Sequence, residues 1–326
     1  MSNMDNSALC MQSYYKVSVR RYSLEDRKAW DDFVISAKNG HFFFQRGYME
    51  YHADRFTDYS LMFFYGKELV GILPANKVGN TVYSHQGLTY GGFVTSRNTS
   101  SLMLLSAFSA LLVYLREDNV EKFFYKTMPY IYFDIPAEED RWALFSCGAK
   151  LIKRELSSVL CPEEKVNYFK GKRNNISKAS RLALNNRESS NFDEFMALLR
   201  LVLSTRHDVE PVHTVEEMRL LAGKFPENIK LHLCYNAGAL LAGAVVFVNH
   251  QVAHTQYLAN SDEGKRCGAL DYLLQHLINT VYSDKAYFSF GISTEKGGQI
   301  LNSGLLQSKE GFGARGVVHD LYMLEL

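Results

Sequence analysis

The chain lacks a charge of one sign. It has 36 Lys and Arg against 35 Asp and Glu, a net charge of +1, with the signs well mixed. A nucleic-acid binder concentrates Lys and Arg, so this balance argues against nucleic acid as the main partner, while local basic clusters remain able to meet the phosphates of a small molecule. It also lacks a cysteine framework. The five cysteines, Cys10, Cys147, Cys161, Cys234 and Cys267, are odd in number and form no C-x-x-C or metal-ligand pattern. Free thiols in a reducing compartment are the expectation, and no metal site. Cys267 alone sits in a loop of interest, where a nucleophilic thiol competes with simple packing. The N-terminus shows no basic-then-apolar targeting pattern. The most apolar run, Leu102–Leu115, falls short of the roughly 20 residues that span a bilayer, and reads as a buried helix. A cytoplasmic protein is expected.

What is present is ample material for packed cores: 47% hydrophobic and 13% aromatic residues, with no low-complexity stretch. The length favours two domains of about 150 residues. The order of elements supports this. In the first half, strand signals at Ser60–Tyr65, Glu68–Val78 and from Thr81 are joined by Gly66-Lys67 and Gly79-Asn80, two-residue connections typical of hairpins. An apolar helix (about 100–117), a strand (Glu121–Tyr125), a helix (Ala137–Phe145) and a long strand (Ala149–Leu160) follow. In the second half, strands Ile229–Tyr235, Ala239–Val248 and Val252–Leu258 precede a helix (Ala269–Tyr282), a strand (Ala286–Phe290), a short helix and a last strand. Gly148-Ala149-Lys150 and Gly313-Ala314-Arg315 each follow a phenylalanine and open a terminal strand. We read a duplication with boundaries 1–162 and 163–326. The expected class is α/β (α+β), each half a mixed, mostly antiparallel sheet flanked by helices. Generic α/β patterning is the competing explanation.

The stretch Val252–Arg315 carries the chemical signal. A strand leads into a polar turn with Gly264, Lys265, Arg266, Gly268 and Ala269, and a helix follows. Such a turn aims unpaired N–H groups and the positive end of a helix dipole at a phosphate. Residues 163–187 are basic. Lys170, Lys172, Arg173 and Lys178 either form a solvated helix face or meet a phosphate. The segment Ser204–Val215 reads as a loop dense in His207, Asp208, Arg206 and His213, closed by a capping box from Thr214 to Glu217. Its spacing fits no usual zinc pattern.

From its third strand through the Gly/basic turn, the helix, the next strand and Asn302…Gly311-Phe312, the second half resembles the GNAT acyltransferase superfamily. Lys265-Arg266-Cys267-Gly268-Ala269 is a degenerate form of the family's Q/R-x-x-G-x-G/A turn, with Leu270 where the last small residue belongs. The tandem arrangement is similar to FemAB-like and related two-domain GNAT proteins. The text Phe290-Gly291-Ile292-Ser293-Thr294-Glu295, Leu301-Asn302-Ser303-Gly304-Leu305 and Lys309 to Arg315, with His213-Thr214, resembles bacterial sugar-nucleotide N-acyltransferases of surface-polysaccharide pathways. That resemblance implies transfer of an acyl group, such as acetyl or 3-hydroxybutyryl, from coenzyme A to the amine of a nucleotide-linked (dTDP-type) amino-deoxysugar, by a monomer or homodimer. It implies coenzyme A contacts at Leu258, Ala259, Gly264, Lys265, Arg266, Gly268, Ala269 and Asn302. The first half lacks a Gly/basic turn after its third strand, so only the second half is expected to hold the donor.

Attack of an amine on a thioester needs a base, an oxyanion donor and an acid for the leaving thiolate. Glu295 is the first candidate base, with His207 and His254 behind it. Glu295 has a competing role as a helix cap, and His254 as a hydrogen-bonded core residue. The oxyanion donor implied by the family is a backbone N–H near Gln256–Ala259. Counting seven residues from Asn302, where many members carry an acidic tyrosine, arrives at Lys309. Candidate acceptor residues are Ser84, His85, Gln86 and Tyr90 from the first half and Arg173, Arg206, His213 and Tyr257 from the second, with ordinary packing the alternative for both tyrosines. An aminoacyl-tRNA-dependent FemAB-like peptidoglycan transferase and a non-catalytic binding module are the competing functions.

Overall fold

The computed structural model describes residues 13–164, 167–207 and 210–326. The chain runs β1 (Val17–Arg21), α1 (Arg27–Ser36), β2 (Leu61–Tyr65), β3 (Glu68–Leu73), β4 (Asn76–Val78), β5 (Thr81–Tyr83), β6 (Val94–Thr95), α2 (Ser101–Glu117), β7 (Lys122–Lys126), α3 (Glu139–Ser146) and β8 (Lys150–Leu160). It continues through α4 (Lys170–Ala179), β9 (Asn185–Ser189), α5 (Phe192–His207), α6 (Val215–Lys224), β10 (Ile229–Asn236), β11 (Ala239–Val248), β12 (Val252–Asn260), α7 (Asp262–Cys267), α8 (Ala269–His276), β13 (Tyr287–Ile292), β14 (Thr294–Glu295), β15 (Ile300–Leu301), α9 (Ser303–Glu310) and β16 (Arg315–Glu325). Two compact units result: residues up to 155 with 318–326, and residues 156–317.

In the first unit β1, β2, β3 and β6 form an antiparallel sheet. Strand β4 pairs antiparallel with β5, β5 pairs parallel with β7 across the α2 crossover, and β16 pairs antiparallel with β7. Ser100 caps α2 by accepting from the Met103 N–H, and the helix buries Leu104, Phe108, Leu111, Leu112 and Leu115. These pack with Phe63, Phe93, Phe123, Tyr125 and Leu324. Each such apolar side chain contributes about 1.5–3 kcal/mol when fully buried.

The second unit repeats the plan. Strands β9, β10, β11 and β12 are antiparallel neighbours, and β12 pairs parallel with β13 across the α7–α8 crossover. Leu160 and Val159 of β8 pair antiparallel with β13. One core joins Ala242, Ala244, Val246, Phe288 and Phe290 to Leu273, Leu274 and Leu277. Elsewhere on β11, Gly243 lies under the Phe195 ring of α5, which leaves no room for a Cβ. The expected mixed α/β class is what is seen.

Several local expectations differ. The run Glu68–Val78 is two strands, broken at Pro74, which has no N–H to donate. Helix α5 extends through His207, so Ser204–His207 is helix and not loop, while Asp208 lies outside the described residues. The expected helix to Tyr282 ends its regular part at His276 and continues as a π-helical turn, Leu277–Val281. Cys147 is disulfide-bonded, whereas Cys161, Cys234 and Cys267 are free thiols as expected. The boundary at 162/163 differs at both ends: Leu156–Leu160 joins the second unit, and the chain returns from Val318 to the first.

That return has a measurable consequence. Leu324 stands near the C-terminus yet is 4% exposed in the first unit's core. Leu324→Ala is expected to cost about 2–5 kcal/mol in the denaturant stability of the first unit, as a cavity-forming substitution does. Unchanged unfolding of that unit would contradict the assignment of β16.

Candidate active site

Strands β12 and β13 pair only from Val252–Tyr287 to His254–Ser289. Beyond those rungs they part. The cause lies in β13, whose register with β8 shifts between Ser289 and Ile292. Gly291 there has φ +72°, and a Cβ on it would sit 3.2 Å from His254 Cε1. Glycine is the residue that adopts this backbone without strain. His254 is half-buried, and its Nδ1 lies 3.0 Å from Ser289 Oγ. The same hydroxyl accepts from the Gly291 N–H at 3.3 Å.

Lys309, on α9, is 7% exposed and reaches this opening. Its Nζ donates to the carbonyls of Gly291 (2.9 Å) and Ile292 (2.6 Å). Burial pulls its pKa down from 10.5 to about 8. An ammonium has three N–H donors, and two are committed to these carbonyls. Lys309, His254, Ser289 and Gly291 are thus gathered at one strand opening.

The turn before α8 departs from expectation. Residues Asp262–Cys267 are a helix, not an open loop. Ser261 caps it by accepting from the Gly264 N–H, and the N–H groups of Lys265 and Gly268 bond to the carbonyls of Ser261 and Gly264. These backbone donors are therefore satisfied internally. Lys265 pairs with Asp262 at 2.6 Å and Arg266 with Glu263 at 3.0 Å, exposed pairs worth little in stability. Gly268, at φ +84°, starts α8, and a Cβ on it would stand 2.5 Å from the Asn175 carbonyl oxygen of α4. In the first turn of α8, Asp271 accepts from Lys172 Nζ (2.8 Å) and Asn175 Nδ2 (2.7 Å). The diphosphate cradle expected for coenzyme A at Gly264–Ala269 thus does not fit: backbone of α4 and a carboxylate already lie there. Cys267 is buried beside Gly264, packed and not presented for nucleophilic work.

The other candidates fall into separate groups. Glu295 is exposed and accepts from Asn302 Nδ2 at 2.7 Å, while Asn302 Oδ1 caps α9 by accepting from the Leu305 N–H. His213 is buried, with Nδ1 2.7 Å from the Tyr257 hydroxyl. Burial pushes the Tyr257 pKa up. Leu258 and Ala259 lie on β12 past the last rung with β13, opposite Ala244 and Gly243 of β11. Arg173 is exposed, donates to the Tyr168 carbonyl, and lines a cleft of about 500 Å³ with Tyr168, Phe312 and Asn279. His207 and Arg206 end helix α5, and their side chains lie outside the described residues.

In the first unit Ser84, His85 and Tyr90 are buried, and only Gln86 of that group is exposed. Tyr90 is 3% exposed, its hydroxyl 2.9 Å from His41 Nε2 and its ring against Phe43 and Tyr132, so it has no face for a sugar. Lys126 Nζ donates to the carbonyls of His85, Gln86 and Leu88. The loop 84–92 is therefore held by Lys126 at the end of β7, beyond the parallel β5–β7 pair.

Against known proteins, the sequence of residues 170–296 matches the Acetyltransferase (GNAT) domain family. The match spans 127 of the chain's 326 residues. It begins at α4 and ends just after Glu295, so β12, the parting of the strands and Gly291 lie within it, and Asn302 and Lys309 beyond it. Among curated proteins nothing matches. The fold is similar over nearly the whole chain to FemX, at 11% identity, covering 93% of this chain and 96% of that one with a TM-score of 0.66. It is also similar to L-PGS from Bacillus licheniformis (11% identity, 95% and 93% covered, TM-score 0.60). A third is the C-terminal domain of a putative lysylphosphatidylglycerol synthetase from Agrobacterium fabrum (13% identity, 92% and 91% covered, TM-score 0.58).

Sequence reasoning missed Ser289 and Asp271. Ser289 carries no motif and matters only through the rung it shares with His254. Asp271 had a local signal, an acidic residue in the first turn of a helix.

Two outcomes follow for the second unit. Gly268→Ala, strained by its φ and by the Asn175 carbonyl, is expected to cost about 2–3 kcal/mol in urea unfolding. For Lys309, the folded pKa of about 8 lies below the unfolded 10.5, so the unfolded chain binds more protons between those values. Lys309 therefore makes stability rise with pH across that window and leaves it unchanged below it. The stability difference between wild type and Lys309→Met should move toward the wild type from pH 8 to pH 10; a flat difference would contradict it.

Proposed function

We propose that the protein is an N-acyltransferase. It moves an acyl group, acetyl or 3-hydroxybutyryl in the preferred reading, from an acyl thioester such as acyl-coenzyme A to the amine of a nucleotide-linked amino-deoxysugar. The observation that carries the reading is the parting of β12 and β13 with Lys309 held at the opening. The GNAT match over 170–296 supports it. The balanced charge of +1 favours a small-molecule donor over an RNA-borne one.

In this reading the amine nitrogen attacks the thioester carbon, and the carbonyl oxygen takes negative charge. A backbone N–H of β12 past His254, near Gln256–Ala259, meets that charge. His254 takes the amine proton, held in place by Ser289. Glu295 stands as the second base candidate, exposed and hydrogen-bonded to Asn302. The C–S bond breaks as the amide forms, and the departing sulfur takes a proton from the third N–H of Lys309. A lysine with a pKa of about 8 suits this task better than one at 10.5, since its proton is more easily given up while still present at neutral pH.

The test is turnover and thermal shift with acetyl- and 3-hydroxybutyryl-coenzyme A against a panel of amino-sugar nucleotides. Free thiol released only when an amine is present supports the reading. Absence of turnover and of stabilisation by every thioester sinks it, and aminoacyl transfer from aminoacyl-tRNA would replace it. With Lys309 as the acid, kcat falls as pH rises through about 8. Lys309→Met should lower kcat by about 100-fold or more and remove that limb, the size expected for a lost general acid.

A further inference from the structure

The N-terminus of α8 already has its anion. Asp271 is 9% exposed, stands in the first turn, and is held by Lys172 and Asn175 of α4. Lys172 is itself fixed, with Nζ 3.1 Å from Ser308 Oγ and 4.6 Å from the centre of the Phe312 ring. Lys178 Nζ donates to the Arg266 carbonyl at 2.6 Å, which ties the far end of α4 to α7. The Asn175 backbone lies directly against Gly268. A helix N-terminus attracts negative charge through its unpaired N–H groups and dipole, and a carboxylate placed there satisfies that attraction. A diphosphate brought to this turn would meet the backbone of α4 and a like charge.

We propose that this protein selects its donor by the acyl-pantetheine end and not by a nucleoside diphosphate. Thioesters on a bare pantetheine arm are then donors equal to acyl-coenzyme A. The inference rests on the acyltransferase reading and concerns which part of the donor is read. The parted β12 and β13 meet the thioester, and the sealed turn contributes no phosphate contact. The bond changes are those of the proposed reaction, with pantetheine thiol in place of coenzyme A as the leaving group.

The experiment compares acetyl-coenzyme A with acetyl-pantetheine on the full chain, by kcat/KM, and reads the thermal shift given by adenosine 3′,5′-bisphosphate alone. The expected result is a kcat/KM ratio within about threefold and no shift with the bisphosphate. A ratio of about 100-fold or more in favour of acetyl-coenzyme A, or stabilisation by the bisphosphate, overturns the inference while leaving the acyltransferase reading intact. Failure of both thioesters to react or to stabilise the protein overturns that reading and this inference with it. Asp271→Asn keeps the side-chain shape and removes its charge. The folded variant is expected to gain a shift with the bisphosphate, and a folded variant without one overturns the part assigned to Asp271.

Discussion

Strand β13 turns away from β12 at Gly291, and the candidate site exists because of that turn. A parallel pair continued past His254 and Ser289 would spend its backbone groups on its own ladder. The positive φ of Gly291 and the shifted register with β8 end the pairing and leave the carbonyls of Gly291 and Ile292 to find another donor. Lys309 supplies it. Burying an ammonium costs free energy unless it is hydrogen-bonded, and two carbonyls offset part of that cost. The remainder shows as the lowered pKa. The same contacts that close the backbone account hold the Lys309 ammonium at a fixed point.

Both units use this device and put it to different ends. In the first, Lys126 gathers three carbonyls of the loop 84–92, and burial lowers its pKa to about 8 as well. That loop is tightly built. A side chain at Gly87 would strike the ring of His52, and one at Gly92 would strike the Tyr125 hydroxyl, which is itself bonded to buried Asp140. The place beyond the β5–β7 pair is thereby filled by the chain's own backbone. In the second unit β12 continues to Asn260 and the chain leaves through α7. The two units thus differ in the segment that follows β5 and β12, and not in the pairing of those strands.

Much of the local structure could be read from the amino acids. Hairpin turns at Gly66-Lys67 and Gly79-Asn80, the Ser100 cap of α2 and the Thr214–Glu217 capping box are decided by neighbours three or four residues away. The repeated order of elements follows from such signals in series. The Gly/basic turn rests on the same kind of local signal and folds differently from its expected form. Ser261, with Asp262 and Glu263 in the first turn, starts a helix seven residues before Ala269, and the N–H groups of Gly264, Lys265 and Gly268 are spent within it. Asn302 caps α9, and Glu295, seven residues before it, accepts from the Asn302 amide instead of capping the helix itself.

By itself, then, the sequence determined the elements, their order and their repetition, because caps, turns and hydrophobic periods act over a few residues. The tertiary structure alone decided what covers what. It laid α4 over Gly268 and joined Lys172 to Asp271 across 99 positions. It buried Tyr90 among aromatic rings and returned the strand from Val318 to the first unit. It set Ser289 beside His254. None of these is encoded in spacing. Each depends on which faces meet once apolar surface is removed from water, a choice made by the whole chain and by no single stretch of it.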